Sequence, residues 1–304
     1  MIFTNQGGIV IKKNAVNMTR FKTKVEKFLT HLDIPMLLYA STAKNDNYRK
    51  PRSGLWTLFA RDIGLSGAIP VTENAVFVGD AAGRQIPKDF SACDRLFAEN
   101  LGILFQTPEE YFEGKAQQSF AYPLDLNAFI PIKKQLCQFK ASDALEMVVF
   151  VGMPASGKST FYQKYIELHG HARINQDTLK SLSKCLSEAR KNLEQGVSVC
   201  IDNTNRDRKT RSKWIDLAAQ FNIKPRCIHF KTPLPIARHN NAVRTLSGMV
   251  KEKRDFLPAI AFGDYEKKFQ PPELSEGFSE LDEIDFKFEG TEEERKIWSK
   301  WWDA

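Results

Sequence analysis

The residues between positions 148 and 160 have the types and spacing that most clearly predict chemistry. An apolar run at 148–151 is followed by the pattern G-x-x-x-x-G-K-[ST] and then by a helix-compatible segment that extends to about Leu168. Two glycines let such a loop curl so that backbone N–H groups converge on phosphate oxygens, and the helix N-terminus adds partial positive charge. The residues concerned are Gly152, Met153, Pro154, Ala155, Ser156, Gly157, Lys158, Ser159 and Thr160.

The lysine and the serine of this pattern have separate tasks in a nucleotide site. Lys158 can reach the β- and γ-phosphates of ATP, and the Ser159 hydroxyl can bind Mg²⁺. The alternative is a chance glycine turn between a strand and a helix. The complete motif in a strand–loop–helix context favours the site for ATP and Mg²⁺.

Two aspartates follow two later strand-like segments. Asp177 lies just beyond the segment that starts at Ala172, and Asp202 and Asn203 follow the apolar segment 197–201. Carboxyl ends of parallel strands meet at one edge of a sheet, so both aspartates are expected near the phosphate-binding loop. Asp177 could take the proton of an attacking hydroxyl, or it could only cap a helix. Asp202 could orient the waters of a metal ion, contact the phosphate acceptor together with Asn203, or close a turn.

Two arginines lie on a predicted late helix at 233–246. Arg238 and Arg244 are six residues apart, where a lid over the phosphates would lie. Lid arginines neutralise charge on a transferring phosphoryl group. A solvated basic helix face is the alternative for each.

Composition limits the class of protein. The chain has 304 residues, of which 42% are hydrophobic and 27% charged, and its formal net charge of +7 favours a polyanionic partner. We find no apolar run long enough to span a membrane and no signal peptide, and a monomer is expected. The cysteines are isolated, without a C-x-x-C pair, as is typical of reduced thiols in a cytosolic or nuclear protein. They are Cys93, Cys137, Cys185, Cys200 and Cys227.

Strand-like and helix-like segments alternate in both halves of the chain, which predicts an α/β fold with parallel sheets. We predict one domain over 1–112, a linker or wrapping segment over 113–146, and a second domain over 147–304. An alternating segment at 284–288 predicts an edge strand near the end of the second sheet.

Several motifs together resemble one known family. GMPASGKST, INQDTL, IDNTN and ARHNN resemble the kinase domain of the animal-type polynucleotide kinase 3′-phosphatases. FTNQGG, YRKP, FVGDAAGR and DFSACDRLFA resemble the phosphatase domain of the same family, which belongs to the haloacid dehalogenase superfamily. The resemblance extends to about Phe288 and implies an incomplete haloacid-dehalogenase-like (Rossmannoid) domain followed by a P-loop kinase domain.

The resemblance implies a nuclear enzyme that processes DNA ends during strand-break repair. Its kinase would transfer the γ-phosphate of ATP to a 5′-hydroxyl, with Asp177 as general base and Arg238 in the lid. Lys158 and Ser159 would hold ATP and Mg²⁺, and Arg244 would contact ATP. The family often has a further arginine where this chain has Ala242.

The phosphatase half departs further from the family pattern. By resemblance, Thr4 is a phosphate-binding hydroxyl beside Asn5, Lys50 neutralises the phosphate, and Asp80 binds Mg²⁺. The superfamily's nucleophile motif D-x-D-G-T does not occur in the printed sequence. We therefore expect a gapped sheet and no hydrolysis of 3′-phosphates, either because the polypeptide is a fragment or because the activity is lost. Residues resembling the family's phosphopeptide-binding module are also not found, so docking to repair scaffolds is not expected.

Two other functions are compatible with the motifs. One is a small-molecule kinase, and the other is a non-catalytic module that binds DNA ends. The net charge and the basic segment 206–213 favour a polyanionic acceptor over a metabolite. The intact Lys158, Ser159 and Asp177 favour catalysis over binding alone.

Overall fold

The structure, a computed structural model, describes residues 1–9, 15–64, 75–131, 139–249 and 255–303. The chain divides into two compact units. Unit 1 comprises Met1–Asp125, Ala242–Glu252 and Lys296–Ala304, and unit 2 comprises Leu126–Asn241 and Lys253–Arg295. Strands and helices alternate in both, and the paired strands are parallel, which confirms the α/β class. The domain boundaries at 112 and 146 stay predictions.

Unit 1 contains two small parallel sheets. Strand β1 pairs with β2, Ile2 opposite Leu38, and β3 pairs with β4, Val76 opposite Leu104. Among the described residues no ladder joins β1 to β3, so this part of the chain has the gapped arrangement that the sequence predicts. The elements are β1 Ile2–Asn5, α1 Ala15–Leu32, β2 Leu38–Ser41, α2 Gly54–Asp62, β3 Val76–Val78, α3 Cys93–Leu101, β4 Leu104–Gln106 and α4 Pro108–Glu113.

An aromatic core holds both small sheets of unit 1. The Phe3 ring on β1 lies 5.7 Å from Phe97 on α3 and 6.5 Å from Phe77 on β3, centroid to centroid. Trp56 and Phe59 on α2 cover the same cluster. These contacts bring the carboxyl ends of β1 and β3 into one region, where the phosphatase-like residues lie.

The second half of the chain builds one parallel sheet of five strands. The strand order is β6-β7-β5-β8-β9, with β5 in the centre. The elements are β5 Met147–Val151, α5 Lys158–Phe161, β6 Ala172–Ile174, α6 Gln176–Leu179, α7 Leu182–Glu194, β7 Val199–Ile201, α8 Arg208–Ala219, β8 Arg226–Phe230, α9 Leu234–Leu246, α10 Ala259–Lys268, β9 Glu280–Ile284 and α11 Glu292–Trp298.

Strand β5 is fully buried on both faces. Met147, Val149 and Val151 belong to one apolar cluster, and Val148 and Phe150 belong to the other. Burial of such a side chain contributes roughly 1.5–3 kcal/mol, so the strand that leads into the phosphate-binding loop is firmly held in the sheet.

Two predictions about elements need correction. The edge strand is β9 at Glu280–Ile284 rather than 284–288, because Arg226 on β8 pairs with Glu280 at 3.0 Å and β9 aligns beside it. The helix after the phosphate-binding loop is α-helical only over Lys158–Phe161. It continues as a π-helical segment at Tyr162–Ile166 and a 3₁₀ turn at Glu167–His169.

None of the helices within the described ranges has the length and apolar character needed to cross a bilayer.

Candidate phosphate-transfer site

The candidate site lies where β5, β7 and β6 end. These strands are neighbours in the sheet, so the segments that follow them meet at one edge. The phosphate-binding loop follows β5, Asp202 follows β7, and Asn175 to Asp177 follow β6.

The phosphate-binding loop has the curled backbone that its glycines allow. A Cβ atom at Gly152 would lie 2.9 Å from both Phe230 Cβ and Ser156 Oγ, so a larger residue would not fit. Gly157 has φ +100°, and Ala155, a non-glycine residue, has φ +60°. Left-handed backbone at these positions turns successive amide groups toward one centre, which is the geometry of an anion-binding nest.

Lys158 lies against the inner side of this loop and is 8% exposed. Its ammonium group donates to Gly152 O at 2.9 Å, to Met153 O at 2.6 Å and to Ser156 Oγ at 3.2 Å. The charge is therefore held where it would meet phosphate oxygens. The contact of Lys158 with ATP stays a prediction.

Asp202 is a buried carboxylate with three partners, and is only 2% exposed. Its Oδ2 accepts a hydrogen bond from Ser159 Oγ at 2.8 Å, and Arg173 Nη2 lies 2.6 Å from the same oxygen. Asn175 Nδ2 donates to the Asp202 carbonyl at 2.7 Å. Asp202 thus lies with the serine predicted to bind Mg²⁺, and this geometry favours the metal-orienting role over the acceptor contact.

Asp177 lies on a turn that Asn175 connects to Asp202 by hydrogen bonds. The Asn175 side chain accepts from the Asp177 and Thr178 N–H groups at 2.9 and 3.3 Å, capping the short helix α6. Asn203 Oδ1 accepts from Gln176 N–H at 2.8 Å. The Asp177 side chain itself is exposed.

Asn203 therefore supports the Asp177 turn from the β7 side. Asn175, which the sequence analysis did not single out, links Asp177 to Asp202. Its signal was an asparagine directly before a short helical segment, in a family-like INQDTL motif.

The donor set fits Mg²⁺ bound together with a triphosphate. Ser159 offers a hydroxyl and Asp202 a carboxylate, both hard oxygen ligands, and phosphate oxygens would complete the shell. Within the described ranges no cluster of three or more His, Cys, Asp or Glu side chains is placed to hold a metal ion.

The predicted lid arginines lie on α9. Arg238 is exposed and Arg244 is partly buried. Ala242, which replaces the family's further arginine, is fully buried. The roles of Arg238 in the lid and of Arg244 with ATP stay predictions.

Most of the basic segment 206–213 is neutralised within unit 2. Arg206 pairs with Asp264, and Arg208 pairs with Glu273 at 2.8 Å. Arg211 is fully buried and pairs with Glu276 at 2.6 Å. The exposed Lys209 and Lys213 have no ion-pair partner among the described residues. The segment therefore offers fewer charges to a polyanion than its sequence indicates.

Two of the phosphatase-like residues come together with Asp94 in unit 1. Lys50 donates to Phe3 O at 2.7 Å and pairs with Asp94 at 2.6 Å, with both side chains buried. Asn5 exchanges two hydrogen bonds with the backbone of Lys50. Asp94 was missed because an aspartate in the first turn of a helix is commonly read as a helix-terminus residue.

The other two phosphatase-like residues are less constrained. Thr4 Oγ1 accepts from Gln6 Nε2 at 2.9 Å, and Asp80 is exposed at the end of β3. Ala81 N–H donates to Asp94 at 3.1 Å, which ties the loop after Asp80 to the same group. Thr4 as a phosphate contact and Asp80 as a metal ligand remain predictions.

Thiol chemistry is not favoured among the described cysteines, which are all buried. Burial raises the pKa of Cys93 and Cys185 above the usual thiol value, that of Cys227 to about 12, and that of Cys200 well above it. Burial also raises the pKa of the nearby Tyr162 hydroxyl to about 12. These groups stay protonated at neutral pH and pack rather than react.

Comparison with known proteins gives matches over both halves of the chain. A family model described as polynucleotide kinase 3 phosphatase matches residues 1–112, and an AAA domain model matches residues 180–272. The chain is 40% identical over 311 residues to the bifunctional polynucleotide phosphatase/kinase of Schizosaccharomyces pombe, a match that covers 100% of this chain and 72% of that protein.

Two further similarities differ in how much they say about this chain. The chain is 35% identical over 322 residues to a putative bifunctional polynucleotide phosphatase/kinase of Acanthamoeba polyphaga mimivirus, covering 95% of this chain and 75% of that protein. Chaetomium thermophilum Kti12, solved in complex with ADP-AlF3, is 15% identical with a TM-score of 0.40, covering 51% of this chain and 96% of that chain. The second likeness is too weak to bear on function.

Proposed function

This chain belongs to the bifunctional polynucleotide phosphatase/kinase family, and from that premise we propose that its β5-centred unit transfers the γ-phosphate of ATP to a 5′-hydroxyl terminus of DNA. One observation carries the proposal. A continuous hydrogen-bonded network runs from Ser159 through Asp202 and Asn175 to the Asp177 backbone, across three adjacent strand ends. Such a network sets the distance between a phosphate cradle and a carboxylate.

The phosphate-binding loop would hold the triphosphate through its backbone amides. Lys158 would exchange its carbonyl partners for the β- and γ-phosphate oxygens as these arrive. Ser159 and Asp202 would hold Mg²⁺, which supplies neutralisation of the developing phosphate charge. Arg238 would add a second positive charge from α9.

Asp177 would act as the general base. The 5′-oxygen of the DNA terminus attacks the γ-phosphorus and forms the new P–O bond while the bond from the γ-phosphorus to the bridging oxygen of ADP breaks. The hydroxyl proton passes to the Asp177 carboxylate, which is exposed and therefore within reach of a large acceptor. ADP leaves as the second product.

Transfer of labelled γ-phosphate to a 5′-hydroxyl oligonucleotide tests this proposal. Asp177→Asn is expected to lower kcat about 10²–10⁴-fold, because proton transfer by a positioned base contributes that much, while ATP affinity is retained. Asp216→Asn is the matched control, since Asp216 is an exposed aspartate on α8 outside the network.

Three outcomes separate the proposed function from its rivals. Loss of activity in both aspartate variants would contradict the base assignment. A wild-type protein that binds DNA ends but transfers no phosphate would support a non-catalytic module. Preference for a small hydroxyl compound over the oligonucleotide would support a metabolite kinase.

We also propose that the 304-residue polypeptide does not hydrolyse 3′-phosphates by itself. Lys50, Asn5 and Asp94 form a charged cluster, yet the sequence lacks the D-x-D-G-T nucleophile and the buried Lys50 ammonium is paired with Asp94. Incubation with a 3′-phosphate oligonucleotide and Mg²⁺ should release no phosphate above the rate of a Lys50→Ala variant. Magnesium-dependent release that Lys50→Ala abolishes would overturn this part of the proposal.

The DNA substrate leads us to propose a nuclear location, which a fluorescent fusion of the chain would test.

A further inference from the structure

Two carbonyl groups of the phosphate-binding loop are held from outside the loop. Asn240 Nδ2, on α9, donates to Ala155 O at 3.1 Å. Thr232 Oγ1, just after β8, donates to Ser156 O at 2.8 Å, and Thr232 is buried. Neither side chain has a part in the proton or phosphoryl transfer described above.

These two bonds determine which way the neighbouring amide groups face. In a trans peptide the C=O of one residue and the N–H of the next point in opposite directions. With the Ala155 and Ser156 carbonyls turned outward, the N–H groups of Ser156 and Gly157 must turn toward the inside of the loop. Ser156 N–H indeed donates across the loop to Met153 O, with an N-to-O distance of 3.3 Å.

The backbone conformation at Ala155 is not the one that an alanine favours by itself. Ala155 has φ +60°, a left-handed conformation that is unfavourable for a residue with a Cβ atom. Rotation of Ala155 to negative φ would relieve this strain, and it would also reorient the peptide that carries the Ser156 amide. An outside anchor on the Ala155 carbonyl opposes that rotation.

We propose that Asn240 and Thr232 are positioning residues that keep the phosphate-binding loop in its anion-binding conformation before the nucleotide arrives. The inference rests on the proposed function, since it concerns how the loop binds ATP. Because Asn240 lies two residues after Arg238 on the same helix, α9 would carry both a phosphate-directed charge and the anchor of the loop.

ATP affinity, measured by calorimetry with Mg²⁺ and without DNA, tests the anchor. Asn240→Ala and the near-isosteric Thr232→Val should each raise the Kd for ATP about tenfold, the effect of losing one hydrogen bond of ordinary strength. Asn192→Ala is the matched control, because within the described part of the chain Asn192 Nδ2 bonds only to Glu188 on helix α7. Its Kd should equal that of the wild type.

A double-mutant cycle distinguishes an anchor from general packing. Glycine adopts positive φ without strain, so Ala155→Gly should remove the need for the anchor. Asn240→Ala should then raise the Kd less than about threefold in the Ala155→Gly background, against tenfold in the wild-type background. Equal effects in both backgrounds would overturn the proposal, as would wild-type affinity in both Asn240→Ala and Thr232→Val.

The same experiment separates this inference from the proposed function. A wild-type protein that binds no ATP contradicts the proposed function. A wild-type protein that binds ATP while the two anchor variants bind it equally well contradicts only the inference. If Asn240→Ala does not fold, Thr232→Val decides alone, because it removes one hydroxyl and keeps the side-chain volume.

Discussion

Arg173 and the Ser159 hydroxyl share a single carboxylate oxygen of Asp202. Arg173 Nε and Nη2 lie 2.8 and 2.6 Å from Oδ2, and the guanidinium also lies 5.6 Å from the centre of the Tyr162 ring. A positive charge at this point competes with a divalent cation for the same carboxylate. If Mg²⁺ binds here as proposed, Arg173 would therefore weaken its binding and keep Asp202 paired when no metal is bound.

We predict that Arg173→Gln strengthens the linkage between Mg²⁺ and ATP. The ratio of the Kd for ATP in EDTA to the Kd in Mg²⁺ should rise about tenfold, because removal of a nearby cation of this kind is worth on the order of 1.4 kcal/mol. Arg190→Gln, which removes an exposed arginine bonded to Gln220, should leave the ratio unchanged. An unchanged or smaller ratio in Arg173→Gln would mean that Arg173 only supports the fold.

Single residues also show what the sequence could and could not reveal. The phosphate-binding loop was predicted in full, because its spacing encodes a local backbone geometry that few other sequences need. Asn175, Asn240 and Asp94 were not predicted as site residues. Each acts through a hydrogen bond or ion pair to a distant part of the chain, and no local pattern reports such a partner.

At the scale of elements, a helix start set by local side-chain chemistry can be predicted from sequence, whereas a strand set by pairing with its neighbour cannot. The residues Thr107-Pro108-Glu109-Glu110 are typical of the start of a helix, and α4 begins there with a reciprocal Thr107–Glu110 capping box. Strand β9 was misplaced because residues 280–284 read as charged and partly exposed, while 284–288 alternates. Its charges face Arg226 on β8, so pairing across strands outweighed periodicity along the chain.

The amino end of β5 contains a buried charge cluster that should govern acid stability. Glu146 Oε1 lies 2.9 Å from His171 Nε2 and accepts from Ser142 N–H at 2.9 Å, and Arg226 Nη1 lies 3.3 Å from Oε2. Although burial alone would raise it, the hydrogen bonds from His171 and Ser142 and the charge of Arg226 bring the pKa of Glu146 below its usual 4.5. Arg226 also pairs with Glu280 and Asp282 on β9, so the cluster connects β5, β6, β8 and β9.

We predict that Glu146→Gln removes an acid-sensitive part of the stability. A carboxyl group with a lowered folded pKa stabilises the fold above its unfolded pKa, and this contribution is lost as pH falls through the folded pKa. The difference in Tm between wild type and Glu146→Gln should therefore be largest near neutral pH and shrink below about pH 4.5. Glu194→Gln, an exposed glutamate at the end of α7, serves as control. A difference that is constant from pH 7 to pH 3 would contradict the prediction.

At the scale of the whole molecule, the net charge of +7 should make the binding of DNA dependent on salt. Phosphate contacts release counterions, so the KM for a single-stranded 5′-hydroxyl oligonucleotide should rise with salt. About three contacts would give a log–log slope near 2, since each contributes about 0.7. The basic side chains of segment 206–213 that can contact DNA phosphates are Lys209 and Lys213, because the arginines of that segment are already paired with carboxylates.

The Lys209→Gln/Lys213→Gln double variant locates the source of this dependence. If α8 lies along the DNA backbone, the slope should fall by about 1.4, because two phosphate contacts are lost. The Kd for ATP of the double variant should equal that of the wild type at each salt concentration. An unchanged slope would assign the DNA path to another face of the protein and leave α8 as a neutralised structural helix. A KM that does not depend on salt would instead favour a small uncharged acceptor, because no polynucleotide can be bound through its phosphates without releasing counterions.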